Sequence, residues 1–443
     1  MRKSLLLFFS ATLCAQDPLS LRDAVRLALR ENKAIAASAA GVRASAERKT
    51  QARSGMLPKV NFAESFARSN NPVFVFSSLL TQHQFGAGNF NIGPLNRPDA
   101  LNNFQTQVTV DQSLYDGGQT RGAVRSADLG EKMSAEEQRR VQMEVVAGVA
   151  RAYHNSVLAA ESLKAAEQAV GSAEADLKRA EAVRAVGMST DVDVLSLRVH
   201  LAAVSEQRIS RGADLDIAKA ALNDAMGLPL DTPHSLTTAL SPIDLPGLTV
   251  GGLETQAGDS RPEARQSRLA SSMAQVQAKA ARDLRLPQVG FRAIFETDAQ
   301  RFVTRGGANW LAAVSLRWNL FNGFSDKSKA SETAHDLERA KAGEQRVGSA
   351  VRLQVRQAYA GLRAAQQRIE IAKAAVALAE ESLRITQNRY EAGLANVTDL
   401  LRNETALLES RTRHLTAVHD QRLTATMLEY AAGTLSADSE VLN

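Results

Sequence analysis

The side chains that most often bind metals or catalyse reactions are scarce in this chain of 443 residues, which has seven histidines and one cysteine. His414 and His419 are five residues apart and do not share one helical face, and the other histidines show no metal-ligand spacing. The sequence has neither a GxSxG nucleophile motif nor a GKS phosphate-binding motif. We therefore expect no catalysis, metal or cofactor.

Two aspartates occur at positions where a carboxylate could stabilise the start of a helix. Asp193 follows Thr190 by three residues, and Asp399 follows Asn396 by the same distance. This spacing allows a capping box, in which the cap residue and the third helical residue satisfy each other's backbone N–H groups. A carboxylate there also interacts favourably with the positive end of the helix dipole.

A short glycine turn precedes each of these helix starts. The turns consist of Val186, Gly187 and Met188 in the first half, and Ala392, Gly393 and Leu394 in the second. Glycine adopts the positive φ that a reversing helix needs. The apolar residue that follows it would be exposed at the tip, where it could either bind a partner or serve only as a turn residue.

Long helices with a heptad pattern must position these turns. From Val351 to Tyr390, apolar or small residues recur in alternating steps of four and three, which predicts packed antiparallel helices. The same pattern occurs 206 residues earlier, from Val145. Proline is absent between Pro98 and Pro229, so the first of these helices can run without a break.

The chain is predicted to repeat the order helix, strand, strand, very long helix, helix. "LPQVGF" at Leu286 matches "LPKVNF" at Leu57, and "EAGLANVTDLL" at Glu391 matches "AVGMSTDVDVL" at Ala185. We expect a signal peptide at 1–15, a first repeat at 16–227, a linker at 228–262 and a second repeat at 263–443. The predicted strands cover about 59–67, 103–115, 287–297 and 308–321, and the helical hairpins about 119–226 and 324–432, with Gly227 and Gly433 at matching places near their ends. A helix is expected from Leu19 to about Gly55 and a loop from about Asn70 to Asn103, and apolar residues alternate with polar ones in the strand at 103–115.

The N-terminus predicts export. Two basic residues precede an apolar run from Leu5 to Leu13, and small residues follow up to Ala15, as in a cleaved signal peptide. Cys14 lies at this junction, where it is either lost with the leader or lipidated. No later apolar run approaches the about 20 residues of a transmembrane helix, so the exported chain is either soluble or crosses a membrane as a β-barrel.

The last predicted strand favours the membrane alternative. Trp310, Ala312, Val314, Leu316 and Trp318 share one face of it. The two tryptophans would lie about 26 Å apart, close to the spacing of the aromatic girdles that border an apolar band. The edge of a β-sandwich with surface tryptophans is the alternative. Four strands cannot close a barrel in lipid, so several chains must share one.

The order of elements, the "YDGG" and "FNGF" strand exits and the "GMSTDVDVL" and "GLANVTDLL" turns resemble the TolC family of outer-membrane efflux proteins. The resemblance covers the whole mature chain. It implies a mainly α-helical homotrimer in outer-membrane lipid, with a shared twelve-stranded β-barrel and a tunnel of twelve helices that extends into the periplasm. It also implies a passive exit duct of a tripartite efflux or type I secretion system, docked to a periplasmic membrane-fusion adaptor and an inner-membrane pump of the RND or ABC type.

The resemblance also implies roles for individual residues. In this family the helical turns of the hairpins are the docking tips, and the six turn residues named above match them. Acidic residues near the same end narrow the closed tunnel, and Asp399 matches such a position. Arg402 stands where a second acidic residue can occur. Asp193 and Asp399 could cap their helices, narrow the tunnel, or do both, since the two roles are compatible.

A periplasmic coiled-coil adaptor or scaffold is the alternative function, since it would also be exported, alanine-rich and hairpin-shaped. Such an adaptor needs one hairpin flanked by lipoyl-like and barrel domains, whereas this sequence predicts two equivalent hairpins and four strands. The sequence therefore favours the conduit. The formal charge of +5 is spread over many residues without a basic run, so nucleic acid is not an expected partner.

Overall fold

The structure, a computed structural model, describes residues 17–185, 190–245, 247–302 and 306–443. Its contacts divide the chain into two compact units. The first unit contains the residues up to Gly41, Ala135–Gln266 and Gln345–Asn443, and the second contains Val42–Ser134 and Ser267–Glu344.

The helices and strands alternate in the order that the repeat predicts. In the first half they are β1 (Asp17–Leu19), α1 (Leu21–Glu31), α2 (Lys33–Arg53), β2 (Lys59–Ser69), α3 (Pro72–Thr81), α4 (Ile92–Asn96), β3 (Leu101–Tyr115), α5 (Gln119–Ala185) and α6 (Asp191–Met226). In the second half they are β4 (His234–Leu236), α7 (Val250–Ser260), α8 (Pro262–Asp283), β5 (Gln288–Ala299), β6 (Gly307–Arg317), α9 (Ser325–Glu391) and α10 (Val397–Ala432).

The two halves have helices of matching length. The helices α5 and α9 have 67 residues each, which corresponds to about 100 Å at the rise of an α-helix. The helices α6 and α10 have 36 residues each. The tandem repeat predicted from the sequence is therefore confirmed at the level of whole elements.

Equivalent glycines end the second helix of each hairpin. Gly227 and Gly433 have φ angles of 79° and 78°, a region that only glycine adopts without strain. The amide of Leu228 donates to the carbonyl of Asn223 at 2.9 Å, which closes a Schellman motif. A Cβ atom at Gly227 would lie 2.9 Å from the Cα atom of Asn32, so the end of α1 can approach only a glycine.

Four strands of the second unit form one antiparallel sheet in the order β2-β3-β5-β6. Directly paired residues share a face, and the pairing connects Phe62, Val108, Phe295 and Trp310 across all four strands. Phe62 and Trp310 are 69% and 79% exposed in the single chain. One face of the sheet is therefore apolar and uncovered.

The opposite face of the sheet is polar. Its pairs include Gln107 with Glu296, and the Gln107 side-chain amide donates to that carboxylate at 3.3 Å. Asn103 donates to the Asp298 carboxylate at 2.6 Å, and Asp298 is almost fully buried. The alternation that the sequence predicted for β3 is thus present in the pairing register.

The largest core lies in the first unit, around Tyr153 of α5. This side chain is fully buried among residues of α1, α6 and α10, including Leu21, Leu222 and Leu428. Its hydroxyl donates to the carbonyl of Leu19 at 2.9 Å and accepts the amide of Thr238 at 2.9 Å. Tyr153 therefore fixes the position of β1 beside β4, with which it pairs in parallel.

Three segments differ from the sequence-based expectation. The helix expected over 19–55 is divided at Asn32, whose side chain accepts the amide of Ala34 and donates to the carbonyl of Ala225. The loop expected over 70–103 contains two short helices, because Asn71 caps α3 immediately before Pro72. The strand β6 ends at Arg317, so Trp318 lies just beyond it.

Among the described residues, every helix is either too short or too polar to cross a membrane.

Candidate functional site

The turn between α9 and α10 is a compact glycine cap. Gly393 has a φ of 71°, its amide donates to the carbonyl of Tyr390 at 3.0 Å, and the amide of Leu394 donates to that of Arg389 at 2.7 Å. These two bonds form a Schellman motif that closes α9. The Leu394 side chain is 69% exposed, and Ala392 is exposed beside it.

The equivalent turn of the first hairpin belongs to the part of the chain that is not described. Val186, Gly187 and Met188 lie outside the described residues. The two helices that flank them, α5 and α6, are described up to Ala185 and from Asp191.

The two helix starts after the turns are capped differently. The Thr190 hydroxyl accepts the amide of Asp193 at 3.2 Å, and the Asp193 carboxylate accepts the amide of Thr190 at 3.2 Å, which completes a capping box. At α10 the Asn396 side chain accepts the amide of Asp399 at 2.8 Å. The reciprocal bond to the Asp399 carboxylate is not formed in the described structure.

The starts of α6 and α10 pack against each other and against the ends of the long helices. Val194 and Leu197 of α6 form a small core with Val397 of α10, and Tyr390 packs against this core. Leu394 is outside this core, and Arg402 is exposed on α10. Among the described residues, Asp193 and Asp399 thus lie at two helix starts that share one small core.

A buried polar cluster that the sequence analysis missed lies close to these helix starts. It consists of Asp176 on α5, His200 on α6 and Glu404 on α10. The Nε2 atom of His200 lies 3.2 Å from Oε2 of Glu404, and the Asp176 side chain is only 4% exposed. Arg179 extends this cluster, with Nη1 lying 3.3 Å from Oδ1 of Asp176.

Burial raises the pKa of the Asp176 carboxyl to about 7, and the neighbouring Glu404 carboxylate adds to this shift. Burial alone would also raise the pKa of Glu404, but the neighbouring His200 and Asp176 side chains lower it overall. Of these two carboxyl groups, Asp176 is therefore the one that keeps its proton to the higher pH. Across the described residues, no cluster of His, Cys, Asp and Glu has the geometry of a metal site.

The sequence analysis missed this cluster because its two acidic residues have no acidic counterpart in the other repeat. With the offset of 206 residues, Asp176 corresponds to Ser382 and Glu404 corresponds to Arg198. An isolated acidic residue on a long helix most often faces solvent, so neither carboxylate stood out in the sequence. A difference between the two halves at positions next to the heptad seam is the one signal that could have identified it.

The two tryptophans have different positions relative to the sheet of the second unit. Trp310 lies within β6 and pairs with Phe295, whereas Trp318 lies beyond the strand and donates from Nε1 to the carbonyl of Arg285 at 3.0 Å. Both are exposed in the single chain. Trp310 belongs to the apolar side of the sheet, together with Val314 and Leu316, which are 67% and 66% exposed.

The sequence matches the outer membrane efflux protein family over residues 24–228 and 253–434. It is 28% identical over 430 residues to protein CyaE of Bordetella pertussis, covering 95% of this chain and 85% of that protein. It is 25% identical over 284 residues to the pyoverdine export outer membrane protein OpmQ of Pseudomonas putida, covering 64% of this chain and 57% of that protein.

Solved structures share this fold at low sequence identity. The Campylobacter jejuni CmeC outer membrane channel has a TM-score of 0.80 at 17% identity, covering 95% of this chain and 87% of that chain. The Vibrio cholerae outer membrane protein VceC has a TM-score of 0.77 at 19% identity, covering 93% and 96%. Because the family match extends over both repeats, this chain belongs to the outer membrane efflux protein family, and it is an outer-membrane exit duct that extends into the periplasm.

Proposed function

We propose that three copies of this chain form one conduit, in which each copy contributes four strands to a shared β-barrel of twelve. The outer strands β2 and β6 each have one edge without a strand partner in the described structure. An unpaired strand edge cannot remain in lipid, because its N–H and C=O groups would lose their hydrogen bonds. Pairing β6 of one copy with β2 of the next satisfies both edges.

The apolar face of the sheet supports this arrangement. It is uncovered in the single chain and connects Phe62 to Trp310 across all four strands, while the opposite face is polar. Lipid against the apolar face and water against the polar face would be favourable for both. This asymmetry is the observation that carries the proposal.

The long helices independently support an assembly of several copies. Large apolar side chains are exposed on them in the single chain, with Ile209, Ile217, Ile371 and Leu378 each at least 67% exposed. Burying such side chains against neighbouring copies would contribute about 25 cal/mol for each Å² of apolar surface removed from water. We therefore assign the helices to a tunnel of twelve.

We also propose that the hairpin tips dock the periplasmic membrane-fusion adaptor, which connects the duct to an inner-membrane pump of the RND or ABC type. Leu394 is exposed at a turn that needs no side chain for its own core. The matching residue of the first hairpin is Met188. Asp399 is proposed as part of the tunnel constriction, since its carboxylate is not engaged in a capping box.

The mass of the solubilised protein tests this function. We expect outer-membrane fractions to yield a trimer in mild detergent, with a mature chain that begins near residue 16 or 17. A monomer in the same detergent, or recovery with the soluble periplasmic proteins, would contradict the proposal.

A further inference from the structure

The ends of the four strands where the sheet joins the long helices carry an unusual concentration of positive charge. We define the junction band as residues 53–59, 115–125, 279–288 and 317–329, which connect β2, β3, β5 and β6 to α2, α5, α8 and α9. It contains ten basic and three acidic residues. Its surplus of seven positive charges exceeds the net charge of +5 for the whole chain.

Most of this charge has no partner. Lys329 pairs with Glu332 at 2.9 Å, whereas the other nine basic residues form no ion pair within the described structure. Asp116, one of the three acidic residues, is already engaged, because its carboxylate accepts the amides of Gly118 and Thr120. The band therefore presents basic side chains that are free to bind an anion.

A groove in this band combines the charge with an apolar floor. It has a volume of about 750 Å³ and lies between α5 and α8, with Arg121, Arg125, Lys279 and Arg282 around its rim. All four side chains are exposed. Its floor includes Val276 and Leu337.

Exposed aromatic residues occupy the same band. The exposed fractions are 57% for Trp318, 73% for Phe321 and 66% for Phe324. The rings of Phe321 and Phe324 contact each other edge to face, with 5.4 Å between the ring centroids. Aromatic side chains beside basic ones are typical of the interface between the polar and apolar parts of a membrane.

We propose that the junction band binds anionic phospholipids of the periplasmic leaflet, with the phosphate held by Arg121, Arg125, Lys279 and Arg282. This inference rests on the proposed function, since the sheet must lie in the membrane for the band to meet the headgroups of that leaflet. Lys and Arg side chains are attracted to an anionic membrane surface, and the apolar floor accepts the upper part of an acyl chain. The lipid would thereby fix the depth of the sheet in the membrane.

Native mass spectrometry of the detergent-solubilised trimer tests this proposal. The probes are phosphatidylglycerol and phosphatidylcholine with identical acyl chains, and inorganic phosphate as a competitor. We expect phosphatidylglycerol to bind at least about tenfold more tightly than phosphatidylcholine, because only its headgroup leaves a net negative charge. The variant R121Q/R125Q/K279Q/R282Q should lose this preference and still form a trimer.

The control variant K341Q/R346Q/R363Q/K373Q removes four exposed charges from α9 outside the junction band, and it should keep the preference. Equal affinity for the two lipids, or a preference that survives in the junction variant, would overturn the proposal. Full displacement of the lipid by inorganic phosphate would overturn it as well, by indicating a site for free anions. A trimer in the outer membrane without lipid preference contradicts only this inference, whereas a soluble monomer contradicts the proposed function.

Discussion

The charge state of Asp176 should affect the stability of the packed ends of the hairpins. This side chain lies 4% exposed beside Glu404, and its pKa is raised to about 7 from an ordinary value of 3.8. A carboxyl group with a raised pKa keeps its proton in the folded state while the unfolded chain has lost it. Its contribution to stability is therefore fully present below pH 4 and is lost as the pH rises to about 7.

The variant Asp176→Asn should remove this pH dependence, because its amide stays neutral. At pH 8 we expect it to be more stable than the parent by on the order of 1 to 3 kcal/mol, as each pKa unit corresponds to about 1.4 kcal/mol. Thermal unfolding between pH 4 and pH 8 measures this. Glu174→Gln is the matched control, since Glu174 is exposed on the same helix. Parallel pH profiles for the parent and Asp176→Asn would refute the assignment.

Asp193 and Asp399 should respond differently to replacement by alanine. Asp193→Ala breaks a complete capping box and should lower the free energy of unfolding by about 1 kcal/mol. Asp399→Ala leaves the Asn396 cap in place, so its effect on stability should be smaller, and it should raise the conductance of the isolated channel. Single-channel recordings beside thermal unfolding separate the two roles. An unchanged conductance with a lowered melting temperature would leave Asp399 as a capping residue only.

The tip residues can be tested together. Replacing both Met188 and Leu394 with Asp should abolish export, because an exposed apolar contact with the adaptor is replaced by charge. The amount of trimer should stay the same, since Leu394 fills no core. The control exchanges the two residues, Met188→Leu with Leu394→Met, and should export normally. Export that persists in the Asp variant would remove the docking role from these side chains.

At the scale of elements, the sequence predicted what depends on local periodicity. The heptad seam from Val351 and the positions of Gly227 and Gly433 defined the hairpins, because burial and helix ends leave direct patterns. The break at Asn32 was missed because its side chain bonds to the carbonyl of Ala225, which is distant in the sequence. The burial of Asp176 was missed because it depends on helices that are distant in the sequence.

The sequence also predicted which residues of β6 lie on each face of the sheet. This assignment can be tested by insertion into the membrane. Val314 and Leu316 lie on the apolar face, whereas Ser315 pairs with Gly290 on the other. Val314→Arg should impair assembly, since an arginine at lipid mid-depth costs about 2 to 4 kcal/mol, and Leu316→Arg should impair it less because Leu316 lies next to the junction band. Ser315→Arg should be milder because its side chain would face water. The yield of assembled protein measures this, and equal yields for all three would contradict the assigned parity.

In the molecule as a whole, a single copy has two kinds of surface that another copy could cover. The strand edges of β2 and β6 lack partners in the described structure, and large apolar side chains of the long helices are exposed. Neither the sequence pattern nor the structure of one chain specifies how many copies pair the strand edges and bury these side chains. The number three comes from the resemblance to the TolC family, and cross-linking between copies tests it directly.

Disulfide cross-linking between the two strand edges provides that measurement. Ala63→Cys in β2 is combined in turn with Leu311→Cys, Ala313→Cys and Ser315→Cys in β6, all on the polar side of the sheet. A disulfide forms only when the two Cβ atoms are about 3.5 to 4.5 Å apart. Differently tagged chains in one cell identify bonds between copies, and the single-cysteine variants are the controls. We predict that at least one pair yields covalent dimers and trimers but nothing larger, whereas bonds confined to one chain, or no bonds at all, would contradict the shared barrel of three copies.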